Sequence, residues 1–356
     1  MNRYFLYLVI CNMMINVIMF VPRTLLQYRF EGAVMGIIIS IPIGLTLSYF
    51  YSISLSKFPG QGLPELMADS NRWLKALLFG SIQLAWFSAG LIGLIGFIDI
   101  LSRFINPDMP KLSILAVFLA GIFLIISLPT DRVIYLLEIT LFLNTPFITF
   151  IVLKAITSPY LNWDSIMEIG TYIFEVPNMK VIAAATLVFT GHANLIIFNR
   201  VLNEKIKLGN FIIIFGLGVF NLFTSFFIPI GLSGADGASE YLYPWVSSSD
   251  SLRLVYSPIE RVIYLFLMFY MSISLLSVSI HWHVALELIK GINKKRDNKK
   301  MNWIILAAFA AIAIVATLTL NTLMLNKITV YWLIVRLLFE TTLVVVTAFW
   351  LRRRTA

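Results

Sequence analysis

The residues whose side chains could take part in chemistry form a small set of uncharged polar groups. Asn12 and Asn16 are four residues apart and therefore share one face of a helix. Gln83 and the segment Thr190-Gly191-His192-Ala193-Asn194 stand at similar depths in two other apolar stretches. Amide, hydroxyl and imidazole groups suit the hydrogen bonding of a small polar molecule, or of one helix to another.

Gly191 gives the last of these segments a second way to bind a molecule. A glycine between Thr190 and His192 is a place where a helix can unwind and offer backbone groups to a ligand. Discontinuous helices at the bilayer midplane bind the substrates of many secondary transporters. We therefore predict a ligand site at this level. The alternative is that the asparagine and glutamine side chains only join helices by hydrogen bonds.

Two charged residues lie deep in the last apolar stretch. Arg336 and Glu340 are one helical turn apart, so they can neutralise each other inside the bilayer. We predict a structural ion pair, and the alternative is a role in coupling protons.

Signals for catalysis and for metal binding are missing from the sequence. It contains no recognisable nucleophile with its base, phosphate-cradling glycine loop or paired-carboxylate site. His192 is isolated, His281 and His283 point to different sides of a helix, and Cys11 is the single cysteine. We predict neither an enzyme nor a metal or cofactor site.

The elements that must position these residues are membrane helices. Of 356 residues, 59% are hydrophobic and 13% charged, and the mean hydropathy is +0.88. Lipid must therefore be the solvent for most of the chain. We predict one all-α polytopic membrane domain over residues 1–356, with about ten transmembrane helices. Their approximate ranges are 4–21, 32–55, 74–101, 112–128, 133–156, 180–199, 208–230, 258–280, 303–325 and 329–350.

The distribution of positive charge predicts the orientation. With both termini on one side, seventeen Lys and Arg residues fall on that side and nine on the other, and most of the excess lies in the segment 290–300. Cytoplasmic loops collect positive charge, so we predict that both termini are cytoplasmic. The net charge of +9 then needs no nucleic-acid partner.

Two outer loops are long enough to contain structure. The loop 157–178 mixes aromatic and acidic residues, which is typical of an amphipathic segment at the interface. In the loop 231–257, Pro244 is well placed to begin a short helix. Such loops usually cover the bundle, and a gate over a binding site is the alternative.

Several short motifs resemble a known family. They are Val21-Pro22-Arg23, Lys57-Phe58-Pro59-Gly60, Tyr243-Pro244-Trp245, Ser257-Pro258-Ile259-Glu260-Arg261 and Phe189-Thr190-Gly191-His192. Together they make nearly the whole chain similar to the GerAB-type spore-germination permeases. These proteins are B subunits of germinant receptors within the amino acid/polyamine/organocation transporter superfamily.

The resemblance implies a fold, a role and partners. It implies a five-plus-five inverted repeat in which helices 1 and 6 are interrupted around a central site. It further implies recognition of a small nutrient, often an amino acid, in the spore inner membrane. The implied partners are a germinant receptor A subunit and a lipoprotein C subunit.

The chain departs from this family at two points. Ile15-Asn16-Val17 stands where the family usually has Gly-x-Gly, and we expect the branched Ile15 and Val17 to resist unwinding. Ala193 and Asn194 stand where an acidic residue is usual, so the obvious partner of an ammonium group is missing. We expect a ligand other than a simple zwitterionic amino acid, or weak binding.

Three functions are compatible with the sequence. The leading hypothesis is a nutrient-sensing subunit whose site is formed by Asn12, Ile15, Asn16, Val17, Gln83, Thr190, Gly191, His192 and Asn194. The alternative is a proton- or sodium-coupled amino acid transporter, for which His192 is the candidate titratable group. A structural membrane scaffold is the third.

Overall fold

The protein is built from helices alone in the part of the chain that the structure describes. The computed structural model describes residues 2–254, 259–292 and 299–355. Three short 3₁₀ segments, Thr171–Phe174, Leu187–Asn194 and Asn199–Val201, accompany the α-helices. The α-helices are α1 Arg3–Asn16, α2 Val21–Gln27, α3 Ala33–Ser56, α4 Leu63–Leu66, α5 Arg72–Phe104, α6 Lys111–Ile126, α7 Thr130–Ile156, α8 Trp163–Gly170, α9 Met179–Thr186, α10 Leu195–Phe198, α11 Leu208–Ser233, α12 Ala235–Glu240, α13 Pro244–Ser251, α14 Val262–Ile292, α15 Lys299–Thr319 and α16 Thr322–Thr355.

The helix lengths confirm an all-α polytopic membrane protein. Eight helical runs of the described chain are long and apolar enough to cross a membrane, and α1 with α2 makes a ninth as one bent span. The predicted stretch 112–128 corresponds to α6, whose 16 residues extend about 24 Å at 1.5 Å per residue. The predicted start of the eighth stretch at Pro258, and residues 293–298 of the basic segment, lie outside the described residues.

Helix 1, which consists of α1 and α2, is interrupted between Asn16 and Val21. α1 ends at Asn16, α2 begins at Val21, and their axes differ by 50°. Ile15 and Val17 themselves keep a helical backbone, because the Val17 N–H still donates to the Met13 carbonyl at 3.2 Å, and the chain leaves the helix only after them. Branched side chains weaken a helix by only tenths of a kcal/mol, whereas Pro22 cannot donate to the Ile18 carbonyl and its ring crowds that carbonyl. The helix breaks in the turn that precedes the proline.

Helix 6 is the continuous run 179–201, and it changes its winding instead of bending. α9 passes into the 3₁₀ segment Leu187–Asn194, which is followed by α10. Eight residues are a long run for a 3₁₀ helix, and mid-helix runs of this kind often mark hinges or strain. The interruption implied for helix 6 thus takes the form of tighter winding around Gly191.

The two long loops, 157–178 and 231–257, contain the helices that the sequence indicates. α8 and the 3₁₀ turn after it lie in the loop 157–178, and Phe174 is exposed there. α13 begins at Pro244, as predicted. Trp245 of α13 is buried, so this short helix packs onto the bundle.

Among the described helices, α5 and α14 make the most extensive contact with each other. Gly90 of α5 permits their close approach, because a Cβ atom there would lie 2.5 Å from the Trp282 indole. Trp282 donates to the Phe87 carbonyl at 3.2 Å and its ring stacks on the Phe87 ring. The long helices α5 and α14 therefore form one wall of the central site.

A buried carboxylate joins four elements at one end of α5. Asp99 accepts hydrogen bonds from Arg103 (2.7 Å), Lys111 (2.8 Å), Tyr243 (3.0 Å) and Thr322 (3.2 Å). Burial and the negative charge of Asp99 raise the pKa of the Tyr243 hydroxyl above its usual range, so this hydroxyl remains a donor. This Asp99 cluster connects α5, α6, the loop before α13 and α16.

A second charged group joins the elements near the other end of α5. Arg200, at the end of helix 6, pairs with Glu65 at 3.0 Å and also with Glu287 of α14. Lys290 lies 2.8 Å from Glu287, so two positive and two negative groups balance each other. This Arg200 cluster connects helix 6, α4 and α14.

Candidate functional site

Helix 1 crosses helix 6 at the 3₁₀ segment, and Gly191 sets the distance between them. A Cβ atom at position 191 would lie 2.5 Å from the Leu8 carbonyl oxygen and 2.6 Å from the Val9 Cα atom. Such distances leave no room for any side chain. Glycine is therefore needed here for close backbone approach, whether or not its backbone also contacts a ligand.

Asn12 joins helix 1 to helix 6 by hydrogen bonds. Its Nδ2 atom donates to the Leu187 carbonyl at 2.6 Å and lies 3.2 Å from the Val188 carbonyl. Both carbonyls belong to the first turn of the 3₁₀ segment. Asn12 is buried, and its amide protons are used between helices, so this side chain holds the two helices together.

Asn16 stands one turn later, at the last residue of α1. Its Nδ2 atom donates to the backbone carbonyl of Asn12 at 2.8 Å and to the Asn12 Oδ1 atom at 3.0 Å. Its own Oδ1 atom accepts no hydrogen bond from the described residues. Asn16 therefore retains an acceptor that a ligand can use.

Asn16 faces a cavity of about 60 Å³, which we call the asparagine cavity. In volume it has room for only a few water molecules. Its walls come from helix 1, α5, helix 6, α14 and α16. Besides Asn12 and Asn16, they include Ile15, Met19, Phe20, Gly90, Ile92, Leu187, Ser277, His281, Thr329 and Trp332.

A second cavity of about 50 Å³, which we call the charged cavity, adjoins the first. The two share five wall residues, Asn12, Ala89, Leu187, His281 and Trp332. The charged cavity is lined further by Trp86, Thr190, Ala193, Asn194, Arg336, Phe339 and Glu340. Polar groups of helices 1 and 6, α5, α14 and α16 thus converge on one region.

Arg336 and Glu340 form the ion pair that their spacing predicts, and the pair also binds helix 6. Arg336 Nη1 lies 2.6 Å from Glu340 Oε2 and 2.8 Å from the Thr190 hydroxyl. Thr190 donates to Glu340 Oε2 at 3.1 Å, and Arg336 Nη2 lies 3.1 Å from the Thr186 hydroxyl. Both charged residues are buried. The pair therefore connects α16 to both sides of the α9 to 3₁₀ junction.

His192 lies next to this pair on the side away from the cavities. Its Nδ1 atom is 2.9 Å from the Phe189 carbonyl, and its Nε2 atom is 3.4 Å from Glu340 Oε1. A neutral His192 that donates through Nδ1 presents the Nε2 lone pair to the carboxylate, and a proton is needed to bridge them. His192 is fully buried and lines neither cavity, so its contact with the cavities runs through Glu340.

Asn194 and Trp86 form one wall of the charged cavity. Trp86 Nε1 donates to Asn194 Oδ1 at 2.8 Å, and Asn194 Nδ2 lies 3.4 Å from the Gly191 carbonyl. This bond joins α5 to helix 6. Because residues 193 and 194 are alanine and asparagine, no carboxylate stands here that could hold an ammonium group.

Four of the predicted site residues line neither cavity: Val17, Gln83, Gly191 and His192. Gln83 is half-buried and lines neither cavity, because the face of α5 that reaches them carries Trp86 instead. Val17 lies in the helix-1 break and points away from both cavities, into a third pocket. Ile15 lines the asparagine cavity.

Sequence reasoning missed three aromatic residues that line the site. Trp86 is three residues after Gln83, and His281 is part of a motif that we considered only for metal binding. Trp332 is the clearest omission, because Trp332, Arg336 and Glu340 recur every four residues and share one face of α16. That spacing was visible in the sequence.

The helical fold and the adjoining cavities between interrupted helices define a polytopic membrane protein of the permease type. Comparison with family models gives a match to one family, described as spore germination protein, over residues 1–324. The chain belongs to this family. Its members are permease-like or receptor-like membrane proteins and not a known family of enzymes. No curated protein matches the chain.

Proposed function

We propose that this chain is the nutrient-sensing subunit of a germinant receptor in the spore inner membrane. The observation that carries the proposal is the pair of adjoining cavities at the crossing of helices 1 and 6. The break in helix 1, the 3₁₀ segment of helix 6 and the Arg336–Glu340 ion pair all lie at this crossing. A bound molecule would therefore contact the segments whose backbone departs most from a regular α-helix. Membership of the spore germination protein family supports the biological setting.

The chemistry of the cavities favours a small ligand that carries no unpaired charge. Arg336 and Glu340 neutralise each other, and the remaining polar wall groups are uncharged amides, hydroxyls and ring N–H groups, such as those of Asn16, Asn194 and Thr329. Burial of a single charge without a partner is costly, which disfavours simple cations and anions. The ligand therefore hydrogen-bonds to amide groups and stays within the combined volume of the two cavities unless the walls move.

The proposed partners follow from the family and not from a surface of this chain. They are an A subunit and a lipoprotein C subunit, with the lipid bilayer as the surrounding solvent. Co-purification of the full chain with proteins encoded by neighbouring genes tests this assignment.

A proton-coupled amino acid transporter is the second candidate, and one observation favours it. His192 Nε2 and Glu340 Oε1 lie 3.4 Å apart, and Glu340 borders the charged cavity. A proton could be held between them and released when the cavity fills. Transport measurements are needed to separate the two functions.

Vesicles that contain the purified chain are expected to bind candidate nutrients without accumulating them. A sensor needs one conformational switch per binding event, whereas a transporter must return through both states many times. The measurement is uptake of labelled amino acids, sugars and nucleosides under a proton or sodium gradient. Robust accumulation driven by the gradient would overturn the sensing function. Loss of the pH dependence of that uptake in His192→Gln would then assign His192 to proton coupling.

Asn16→Ala and Asn194→Ala are each expected to raise the nutrient concentration needed for response about 2- to 12-fold. This range corresponds to one lost hydrogen bond of 0.5 to 1.5 kcal/mol. The measurement is germination of spores at graded nutrient concentrations, with the protein level determined by immunoblot. Gln83→Ala is the matched control, because Gln83 lies outside both cavities. An equal shift in Gln83→Ala, or a parallel loss of protein in the other variants, would show that these side chains only support the helices.

Both termini are expected to face the cytoplasm. This expectation rests on the excess of Lys and Arg in the loops that lie on the same side of the membrane as the termini. Single cysteines are introduced into a Cys11→Ala background, one near residue 298 and one in the loop 231–257. A membrane-impermeant thiol reagent should label the second and spare the first. The reverse pattern would invert the topology.

A further inference from the structure

A third cavity lies on the opposite face of helix 1 from the asparagine cavity. It has a volume of about 190 Å³ and is enclosed by helix 1, α7, α11, α13 and α14. Met13 and Val17 line it, while Asn12 and Asn16 face the other way. We call it the Trp245 pocket.

The walls of the Trp245 pocket are almost entirely apolar, and one buried donor stands in them without a partner. Trp245 is 2% exposed, and its Nε1 atom has no hydrogen-bond partner among the described residues. Its ring stacks nearly parallel to that of Phe266, with the ring centroids 6.4 Å apart. Buried tryptophan N–H groups usually find a partner, so a donor left open beside a cavity indicates that something else supplies the acceptor.

Asn221 of α11 adds the complementary group. It lines the same pocket, and its Oδ1 atom is also buried without a partner in the part of the chain that the structure describes. The pocket thus offers one donor and one acceptor in an apolar setting. A hydroxyl group can satisfy both, because it accepts one hydrogen bond and donates another.

Size and access define the ligand further. An apolar cavity of about 150 Å³ accepts benzene in another protein, so a cavity of about 190 Å³ suits a molecule of that size with one additional polar group. Thr145, Thr149 and Phe220 line the pocket and are exposed on the side of the bundle that faces lipid. A molecule that dissolves in the bilayer can therefore reach it without crossing the aqueous side.

We propose that the Trp245 pocket binds a small uncharged alcohol of about the size of benzene, with its hydroxyl group on Trp245 Nε1 and Asn221 Oδ1. The occupant contacts Val17 and Ile18, two residues of the break in helix 1. Its binding therefore acts on the break from the side opposite the asparagine cavity. This site is independent of the proposed nutrient sensing, and it can be tested by binding alone.

The test compares two probes that differ only in the hydroxyl group, with the full chain in lipid nanodiscs. Saturable binding of para-fluorobenzyl alcohol and of para-fluorotoluene is measured by fluorine NMR. The alcohol is expected to bind about fivefold more tightly than the toluene, and Trp245→Phe should reduce that difference while the toluene binds as before. Trp163→Phe, which changes an exposed tryptophan, should leave both affinities unchanged.

A second variant keeps the test decisive if Trp245→Phe fails to fold. Val152→Phe narrows the pocket from α7 and should remove saturable binding of both probes. Equal affinity of the two probes for the unaltered chain, or unchanged alcohol binding in both pocket variants, would overturn the proposal. Binding that appears only after lipid is stripped from the chain would do the same, because the occupant would then be a lipid acyl chain.

Discussion

Gly191→Ala is expected to prevent helix 1 from seating on helix 6, so that little folded protein is recovered. The added methyl group would lie 2.5 Å from a backbone oxygen and 2.6 Å from a Cα atom, and backbone cannot move aside as a flexible side chain can. Overpacking of a core costs about 1–3 kcal/mol even where side chains can adjust, and this site allows less adjustment. The measurements are the yield of folded protein in detergent and its thermal unfolding temperature.

Gly216→Ala is the matched control for this change. Gly216 also lies in a membrane helix, but no atom lies within 4 Å of the position of its Cβ. Alanine there should be neutral or slightly stabilising, because it is a better helix former than glycine. If both variants unfold at the temperature of the unaltered chain, helices 1 and 6 do not approach each other as closely as the structure shows.

Arg336→Met is expected to destabilise the protein by about 3–5 kcal/mol, because it leaves the buried Glu340 without its counter-charge. Arg336→Met combined with Glu340→Gln should recover a large part of this loss, since no buried charge then remains. Thermal unfolding of the single and double variants measures the coupling between the two residues.

The control for the ion pair is Arg253→Met at an exposed pair. Arg253 lies 2.8 Å from Glu260, and both side chains are more than half exposed. Exposed pairs contribute about 0–1 kcal/mol, so this variant should unfold close to the temperature of the unaltered chain. Equal losses at the two positions, or no recovery in the double variant, would show that the Arg336–Glu340 pair does not act as a unit.

Much of the fold follows from hydropathy, because the bilayer demands long apolar helices with all backbone groups bonded internally. The predicted ranges 32–55 and 133–156 lie within a residue or a few residues of α3 and α7. The resemblance implied an interrupted helix 1, but its exact position depends on Pro22, which lies a turn beyond Ile15 and Val17. The proposed inverted repeat remains a prediction.

The candidate site was only partly accessible from sequence. Helical spacing alone placed Asn12 with Asn16 and Arg336 with Glu340, because each pair is four residues apart. Gln83 was selected for its depth, but depth does not specify which face of α5 turns inward. That face depends on packing between distant helices, such as the approach of Trp282 to Gly90, and packing of this kind has no local signal in the sequence.

The Asp99 and Arg200 clusters have a consequence for the membrane in which the chain resides. They lie near opposite ends of α5, and both are paired in the same state. We expect the two clusters to hold both ends of the bundle closed, so the resting protein should be electrically silent and leak neither protons nor metal ions. Activation would then begin with the separation of one charged cluster while the other stays paired. Current measurements on variants of the Asp99 and Arg200 clusters in a reconstituted membrane would show which cluster separates first.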